Sequence, residues 1–363
     1  MQPSPQQTSE LKKACVNCGA ELRYAPGTSE LTCEYCGYKQ EIPASEIAFQ
    51  ELELKKYLSE LGSQSHSEQI TMLHCKNCGA NQHVEENYKS LHCVYCSMPL
   101  VVEDAYKDDW ILPGAVLPFQ IDQKKAHLIF KKWVNGLWWA PNKLKKAALD
   151  PQHTKGLYAP FWTFDAQLFA KYTGKRGEYY YVTKTVGSGK NRRTVRERRT
   201  RWYPASGNVS GFVDDTLIKA SEQKSGVIPK KIAHWDLRKL ETFQSAYLAG
   251  FVTEKYTIPL KDGHLAATKE ARNIAERWAR RDIGGDTQIV SSINMRLSEE
   301  KFKHILLPVY ISAYKYKGKR YNFFVNGQSG VISGQRPYSF WKIFFFVLSI
   351  LTILGIIIFF MNG

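Results

Sequence analysis

Cysteine is the residue type best placed to do chemistry in this chain. Cys15 and Cys18 enclose two residues, as do Cys33 and Cys36, with fourteen residues between the pairs. Cys75, Cys78, Cys93 and Cys96 repeat the arrangement sixty residues later, and Asn17-Cys18-Gly19-Ala20 returns as Asn77-Cys78-Gly79-Ala80, which marks an internal duplication. A C-x-x-C turn aims two thiolates at one ion, and glycine after the second cysteine (Gly19, Gly37, Gly79) permits the backbone turn. The spacer has room for a short β-hairpin that brings the second pair back to complete a tetrahedron. A thiolate quartet leaves no open position, so the expected cofactor is Zn²⁺, two structural ions that supply most of the folding energy of such small units. Redox pairs or disulfides are the competing readings, but a redox pair stands alone at a helix start. His74 and His92 adjoin complete quartets and are read as bystanders.

Charge divides the chain. Residues 1–110 hold nine Lys/Arg against sixteen Asp/Glu, and the remainder holds 41 against 18, for a net +16. Each zinc with four thiolates adds about two negative charges to the first part. Phosphate contacts need cations, so the cysteine modules point to a protein partner rather than DNA. All eight cysteines precede residue 97, and the opening MQPSPQQTSELKKA has no apolar signal core. Both features fit a reducing compartment.

The expected fold class is α+β: two small four-cysteine zinc ribbons, a mixed α+β domain with antiparallel hairpins, and one C-terminal transmembrane helix. The segments are a disordered 1–14, a ribbon over 15–43, a helical connector over 44–70, a second ribbon over 71–103, an α+β domain over 104–340 and the membrane helix over 341–363. The connector helix runs from an N-cap at Ser45 to Leu61 and stops at Gly62. Asp122–Val134 is amphipathic, with Ala126, Ile129, Phe130, Trp133 and Val134 in one stripe, and Gly136 ends it. Leu157–Val186 reads as two strands turning at Thr173-Gly174-Lys175-Arg176-Gly177, and Leu306–Ser333 as a second strand system turning at Asn326-Gly327. Leu265–Arg281 is a helix that ends before Gly284-Gly285.

Lys184–Arg201 reads as a loop with eight Lys/Arg and one acid. Lys190, Arg192, Arg193, Arg196, Arg198, Arg199 and Arg201 are its candidate contacts to phosphates of anionic lipid or nucleic acid. A solvated hairpin tip is the plainer alternative. Gly187-Ser188-Gly189-Lys190 departs from a phosphate loop, because position 184 is Lys rather than Gly and Asn191 stands where Ser/Thr would hold Mg²⁺. No Ser-His-Asp order, H-E-x-x-H or paired-carboxylate motif stands out, so no enzymatic activity and no catalytic residue are expected.

Ile343–Met361 is nineteen residues without a charge. As a helix it is about 28 Å long, close to the hydrocarbon thickness. Tyr338, Phe340 and Trp341 supply an aromatic belt, and Arg336 and Lys342 flank the same side, which the positive-inside rule places in the cytoplasm. The expectation is a tail anchor: a single pass in the cytoplasmic membrane, with the N-terminal domains in the cytoplasm. The basic part then lies near anionic headgroups and the acidic modules reach outward.

Three strings carry a family resemblance. They are Arg280-Arg281-Asp282-Ile283-Gly284-Gly285-Asp286, Phe302-Lys303-His304-Ile305-Leu306-Leu307-Pro308-Val309-Tyr310, and Tyr316-Lys317-Gly318-Lys319-Arg320-Tyr321-Asn322-Phe323-Phe324-Val325-Asn326-Gly327-Gln328-Ser329-Gly330. They resemble a bacterial family of membrane-associated proteins with transcription-factor-IIB-type zinc ribbons, over roughly residues 70–345. Members are often labelled primosomal protein N′ (replication factor Y), superfamily II helicase, and some look linked to membrane-stress systems. The resemblance implies a recruiting role. Two functions follow as expectations: a non-enzymatic adaptor docking cytosolic proteins at the membrane through its ribbons, or a membrane-tethered nucleic-acid binder using the basic loop.

Overall fold

A computed structural model describes residues 14–45, 49, 51–60, 67–83, 91–95, 98–100, 106–142, 154–187, 192–222, 228–316 and 319–362. Its strands are β1 Leu22–Tyr24, β2 Glu30–Cys33, β3 Lys39–Glu41, β4 Leu52–Glu53, β5 Ser67–His74, β6 Asn81–His83, β7 Leu91–His92, β8 Pro99–Leu100, β9 Tyr106–Ile111, β10 Ala115–Val116, β11 Thr154–Val186, β12 Arg193–Lys219, β13 Glu241–Thr242, β14 Val252–Glu254, β15 Thr287–Tyr316, β16 Lys319–Asn326 and β17 Ile332–Gly334. The helices are α1 Leu54–Glu60, α2 Gln123–Asn135, α3 Leu260–Ile283 and α4 Phe340–Asn362. The class is mixed α+β with antiparallel hairpins, and most of it is sheet.

Three strands dominate. β11, β12 and β15 run for 33, 27 and 30 residues, several times the usual strand length. β11 lies between the other two, antiparallel to both. Its burial pattern explains how one strand serves two environments. From Leu157 to Ala166 both faces are buried in the core; beyond that, Leu168, Ala170 and Tyr172 point inward while Phe169, Lys171 and Thr173 alternate outward. The change falls at two irregularities in the ladders, between Phe164 and Ala166 on the β12 side and between Asp165 and Gln167 on the β15 side. The two non-glycine residues with positive φ among those described, Asp215 (46°) and Glu299 (54°), occupy these bulges.

Distal to the bulges the ribbon is covered on one face by α3. That helix buries Gly263, Ala267, Ala271, Ala275, Ala279 and Ile283, a ridge of mostly small residues at every fourth position. The ribbon answers with Leu168, Ala170, Tyr172 and Val213. α3 carries Asp262 in its first turn and Arg280 and Arg281 in its last, the polarity its dipole favours, and ends at Gly284 with φ 66°. Proximal to the bulges, β10, β13, β14, β16 and β17 widen the sheet, and β6, β5 and β9 extend it beyond β14.

Several sequence expectations are corrected. Thr173–Gly177 is not a turn but the interior of β11. A Cβ at Gly174 would lie 2.3 Å from the Ile289 carbonyl oxygen, and one at Gly177 would lie 2.5 Å from Thr287, so these glycines serve close strand packing. Lys184–Val186 and Arg193–Arg201 are strand rather than loop. Val186 pairs with Arg193, and strand pairing runs unbroken from there to the ribbon. The connector helix does not start from Ser45: Leu52 and Glu53 form a strand edge against Phe302 and Lys301, and α1 begins at Leu54. β15 begins well before Leu306, at Thr287. α2 keeps to its expected place, with Asp122 accepting from the Lys125 N–H and Gly136 at its end. Of residues 1–14, expected to be disordered, the first thirteen lie outside the described residues and Ala14 forms a bridge with Glu21.

Candidate metal centres, basic arm and apolar helix

The first quartet sits where β1–β3 form a three-stranded antiparallel sheet. Each cysteine pair is wound into the same turn: Gly19 N–H donates to Cys15 O (2.8 Å) and Gly37 N–H to Cys33 O (3.0 Å). Both glycines have φ 73°. The four sulfurs lie within 4.8 Å of one another, with Cys15–Cys36 and Cys18–Cys33 at 3.5 Å. A metal–sulfur length of about 2.3 Å in a tetrahedron separates sulfurs by about 3.8 Å. A disulfide needs about 2.05 Å. The spacing therefore fits a four-coordinate ion and excludes bridges. The Cys36 backbone N–H draws the Cys33 thiol down to about 7, while at Cys36 the Tyr38 backbone N–H is outweighed by crowding from the neighbouring sulfurs, Cys15 foremost, which pushes that thiol up to about 12.

The second cluster brings Cys75, Cys78 and Cys93 together, with Cys78 and Cys93 sulfurs 3.4 Å apart. Gly79 N–H donates to Cys75 O (2.8 Å) at φ 77°, reproducing the first module's turn. Cys96, the expected fourth ligand, lies outside the described residues. The two modules differ in setting. Cys15 and Cys33 are buried against the body while Cys18 and Cys36 are exposed, whereas Cys75, Cys78 and Cys93 are all buried, in the core with Leu73, Leu157, Ile305 and Val309. The hairpin that carries Cys75 and Cys78 is part of the large sheet: β6 pairs with β14, and β5 with β9. Beside it, Tyr95 and Ser221 hydroxyls donate to the buried Glu254 carboxylate. Both clusters can hold a metal ion.

A third titratable group gathers at the bulges. Asp165, Asp214 and Asp215 bring carboxylate oxygens together, but Lys303 already supplies the cation. Its Nζ is 2.8 Å from Asp215, 3.2 Å from Glu51 and 3.7 Å from Asp165. Burial works against the Lys303 charge, and these partners outweigh it and raise its pKa. Burial pushes Asp165 up to about 6. Neighbouring His264 is 2.6 Å from Glu300 over a cavity of about 20 Å³, room for about one water. Sequence reasoning missed this group, because its members are far apart along the chain and no spacing joins them.

The basic residues are split by strand parity. Beyond Gly177 only β11 and β12 continue, as a two-stranded arm. Arg196 and Arg198 point to one face and stack on Tyr181 (4.1 Å) and Tyr179 (4.3 Å). Arg193, Arg199 and Arg201 point to the other, where Arg201 lies over Tyr180 and Glu197 joins Lys184 (2.5 Å) and Arg199 (3.5 Å). Arg192 precedes β12, and Lys190 lies outside the described residues.

α4 is the helix long and apolar enough to cross a membrane among the described residues, with mean hydropathy 3.0 over its best window and none of that window buried. Its start is fixed to the segment after α2: Ser339 N–H donates to Trp139 O, and Lys342 Nζ donates to Trp138 O, Ala140 O and Asn142 Oδ1. Exposed Trp138 joins Tyr338, Phe340 and Trp341 at this level.

The chain is similar to the uncharacterized protein YdjG of Bacillus subtilis (strain 168), with 25% identity over 242 residues that cover 64% of this chain. The match spans 66% of the relative's length, just under two thirds. No family model matches the chain. No solved structure matches it.

Proposed function

We propose that this chain is a zinc-stabilised, non-enzymatic adaptor, held in the cytoplasmic membrane by α4 with its cysteine modules in the cytoplasm, where they dock soluble proteins. The observation that carries this reading is the first quartet. Its sulfurs are spaced for one ion, while Val16 and Tyr35, at the tips of its two turns, stand 61% and 86% exposed. A closed four-sulfur site leaves no position for substrate, and redox-inert Zn²⁺ suits a purely structural duty. What the module offers outward is an apolar tip beside Glu34, on a base packed into the large core through Leu22, Tyr24 and Leu31.

Orientation rests on Arg336 and Lys342 at the body side of α4 and on the aromatic belt there. Anionic headgroups are a second partner, for cations brought close to the bilayer. The primosomal or helicase label gains no support, since the chain lacks a nucleotide-binding loop pattern.

The test places a photo-crosslinking residue at Tyr35 of the full-length chain in membranes, with zinc measured in parallel. Two zinc ions per chain are expected, with a cross-link to a defined soluble protein. The membrane-bound fraction of that protein should fall when Val16 and Tyr35 are both replaced by Asp. A zinc-loaded chain that cross-links to nothing, and whose deletion moves no soluble protein off the membrane, overturns the reading.

A further inference from the structure

Between the acidic cluster of Asp165, Asp214 and Asp215 at the bulges and the end of the arm, one face of the long ribbon carries no acid. α3 covers the even-numbered side of β11 from Leu168 to Tyr172, and on the odd-numbered side Phe169, Lys171, Thr173, Lys175, Tyr179 and Tyr181 are exposed. Register places the neighbours on that side. Gln167 to Thr185 of β11 face Phe212 to Thr194 of β12, and β15 adds Ser298, Arg296, Asn294 and Ser292. Five large aromatics stand on it: Phe169, Tyr179, Tyr181, Trp202 and Phe212, each between 36% and 54% exposed. Five cations lie among them: Lys171, Lys175, Arg196, Arg198 and Arg296. Most of the remaining positions are Ser, Thr, Asn or Gln. Acids near the arm lie elsewhere. Glu178 and Glu197 occupy the opposite face, paired with Arg176 and with Lys184 and Arg199. Asp286 is held at the sheet edge by the Tyr179 N–H at 2.6 Å.

Such a face has a reason to stay free of acids. Cations without acidic partners attract a polyanion, and flat surfaces lie among them on which bases stack without regard to sequence: the rings of Trp202 and Phe212, and the guanidinium planes that Arg196, Arg198 and Arg296 lay over Tyr181, Tyr179 and Phe169. Hydroxyl and amide side chains add neutral donors for phosphate oxygens. The face is long: eighteen residues of strand span about 60 Å. Ribbons of two or three strands also twist strongly, so the face turns along its length. A planar bilayer meets only part of it at once, whereas a flexible strand follows the twist. The arginines are pre-oriented too, with Arg196 and Arg198 on tyrosine rings and Arg296 over Phe169 at 5.6 Å.

We propose that this acid-free face, from Gln167 to Thr185 with its β12 and β15 neighbours, binds a single strand of nucleic acid. It is a second surface, separate from the cysteine modules, and does not depend on the docking reading.

The test uses the full-length chain in nanodiscs of zwitterionic lipid and measures fluorescence anisotropy with 20-mers of oligo-U and oligo-dT. The two oligomers separate RNA from DNA as the source. Binding is expected with a slope of log affinity on log salt of about −3.5, from five cations at roughly 0.7 each. Replacing both Arg196 and Arg198 with Gln should flatten the slope by about 1.4. Tyr179→Leu with Trp202→Leu should weaken oligomer binding at least tenfold and leave heparin binding unchanged, because heparin has no bases. Arg199→Gln and Lys184→Gln, on the opposite face, should change little. Zinc content and circular dichroism confirm that each variant folds. Three outcomes overturn the proposal: no oligomer binding, loss equal in the opposite-face variants, or anionic vesicles and heparin bound as tightly as the oligomers with no loss in the aromatic double variant. The last outcome assigns the face to a membrane or to any polyanion.

Discussion

Gly263 and Trp162 meet so closely that a Cβ on the glycine would lie 2.7 Å from the indole Cδ1. Trp162 is fully buried, and its Nε1 donates to Ile258 O at 3.0 Å. It has little freedom to retreat. The contact sets how near α3 comes to the ribbon, and the ridge of alanines that follows keeps that distance along the helix.

Enlarging the ridge should therefore lift α3 from the sheet. Gly263→Ala gains about 1 kcal/mol of helix propensity but introduces a clash worth roughly 1–3 kcal/mol, for a net loss. Ala275→Leu, at a position with no exposed surface, should lose about 3 kcal/mol. Urea midpoints of the detergent-solubilised chain decide this. Wild-type midpoints in both variants would mean that the helix docks loosely.

How much of this was legible beforehand differs by feature. The gathering of Cys15, Cys18, Cys33 and Cys36, and of Cys75, Cys78 and Cys93, was, because metal ligands declare themselves by spacing alone. α2 was, because Asp122 and Gly136 punctuate it. The 33-residue β11 was not. Its Gly174 and Gly177 look like turn residues, and their real task, letting Ile289 and Thr287 approach, depends on a strand more than a hundred residues away. The split of the arginines between two faces was hidden for the same reason: parity has meaning only once the strand is known to continue.

The arm makes a local prediction. Beyond Gly177 it has one ladder and no covering helix, so it should exchange amide hydrogens before the body does. Cross-strand stacking of Arg196 on Tyr181 should slow that exchange. Tyr181→Leu should speed it by a factor of roughly 2 to 5, the equivalent of about 0.5–1 kcal/mol, and leave the midpoint of global unfolding unchanged. Hydrogen exchange with peptide resolution over 178–186 and 193–201 measures it.

Two buried groups should tilt acid stability in opposite senses. Burial holds His304 down at about 4 from an ordinary 6.5, with Trp162 and Tyr256 against its ring and Nδ1–H donating to Ile111 O. The unfolded chain takes up this proton first, so stability falls as pH drops from 6.5 to 4, by about 3 kcal/mol. Asp165 is raised to about 6 from 3.8, so the folded chain takes up its proton first and stability rises as pH drops through 6 toward 3.8. His304→Gln should therefore lose less stability than wild type on acidification, and Asp165→Asn should lose more. Comparing each variant with wild type at every pH cancels the shared contribution of the thiolates. Parallel curves for all three chains would refute the assignment.

The two cysteine modules should fail differently. Each Cys→Ser change removes one ligand from a closed quartet and should reduce bound zinc from two ions per chain to one. In the first module the loss should be smaller. Cys18 is exposed and β1–β3 pair with no strand of the large sheet, although Leu22, Tyr24 and Leu31 pack into the body's core, so Cys18→Ser should loosen that packing while leaving the ladders of the large sheet intact. In the second module it should spread. Cys75 and Cys93 pack against Leu157, Ile305 and Val309, and the hairpin carrying Cys75 is the link between β14 and β9 in the large sheet. Cys78→Ser should therefore cost several kcal/mol and expose β14 together with buried Glu254. A strong chelator should reproduce both stages, with the exposed module losing its ion first. Zinc release followed with a colorimetric indicator, alongside limited proteolysis, separates the stages. Simultaneous loss of both modules, or a Cys78→Ser chain as stable as Cys18→Ser, would show that the buried cluster is no part of what holds the sheet.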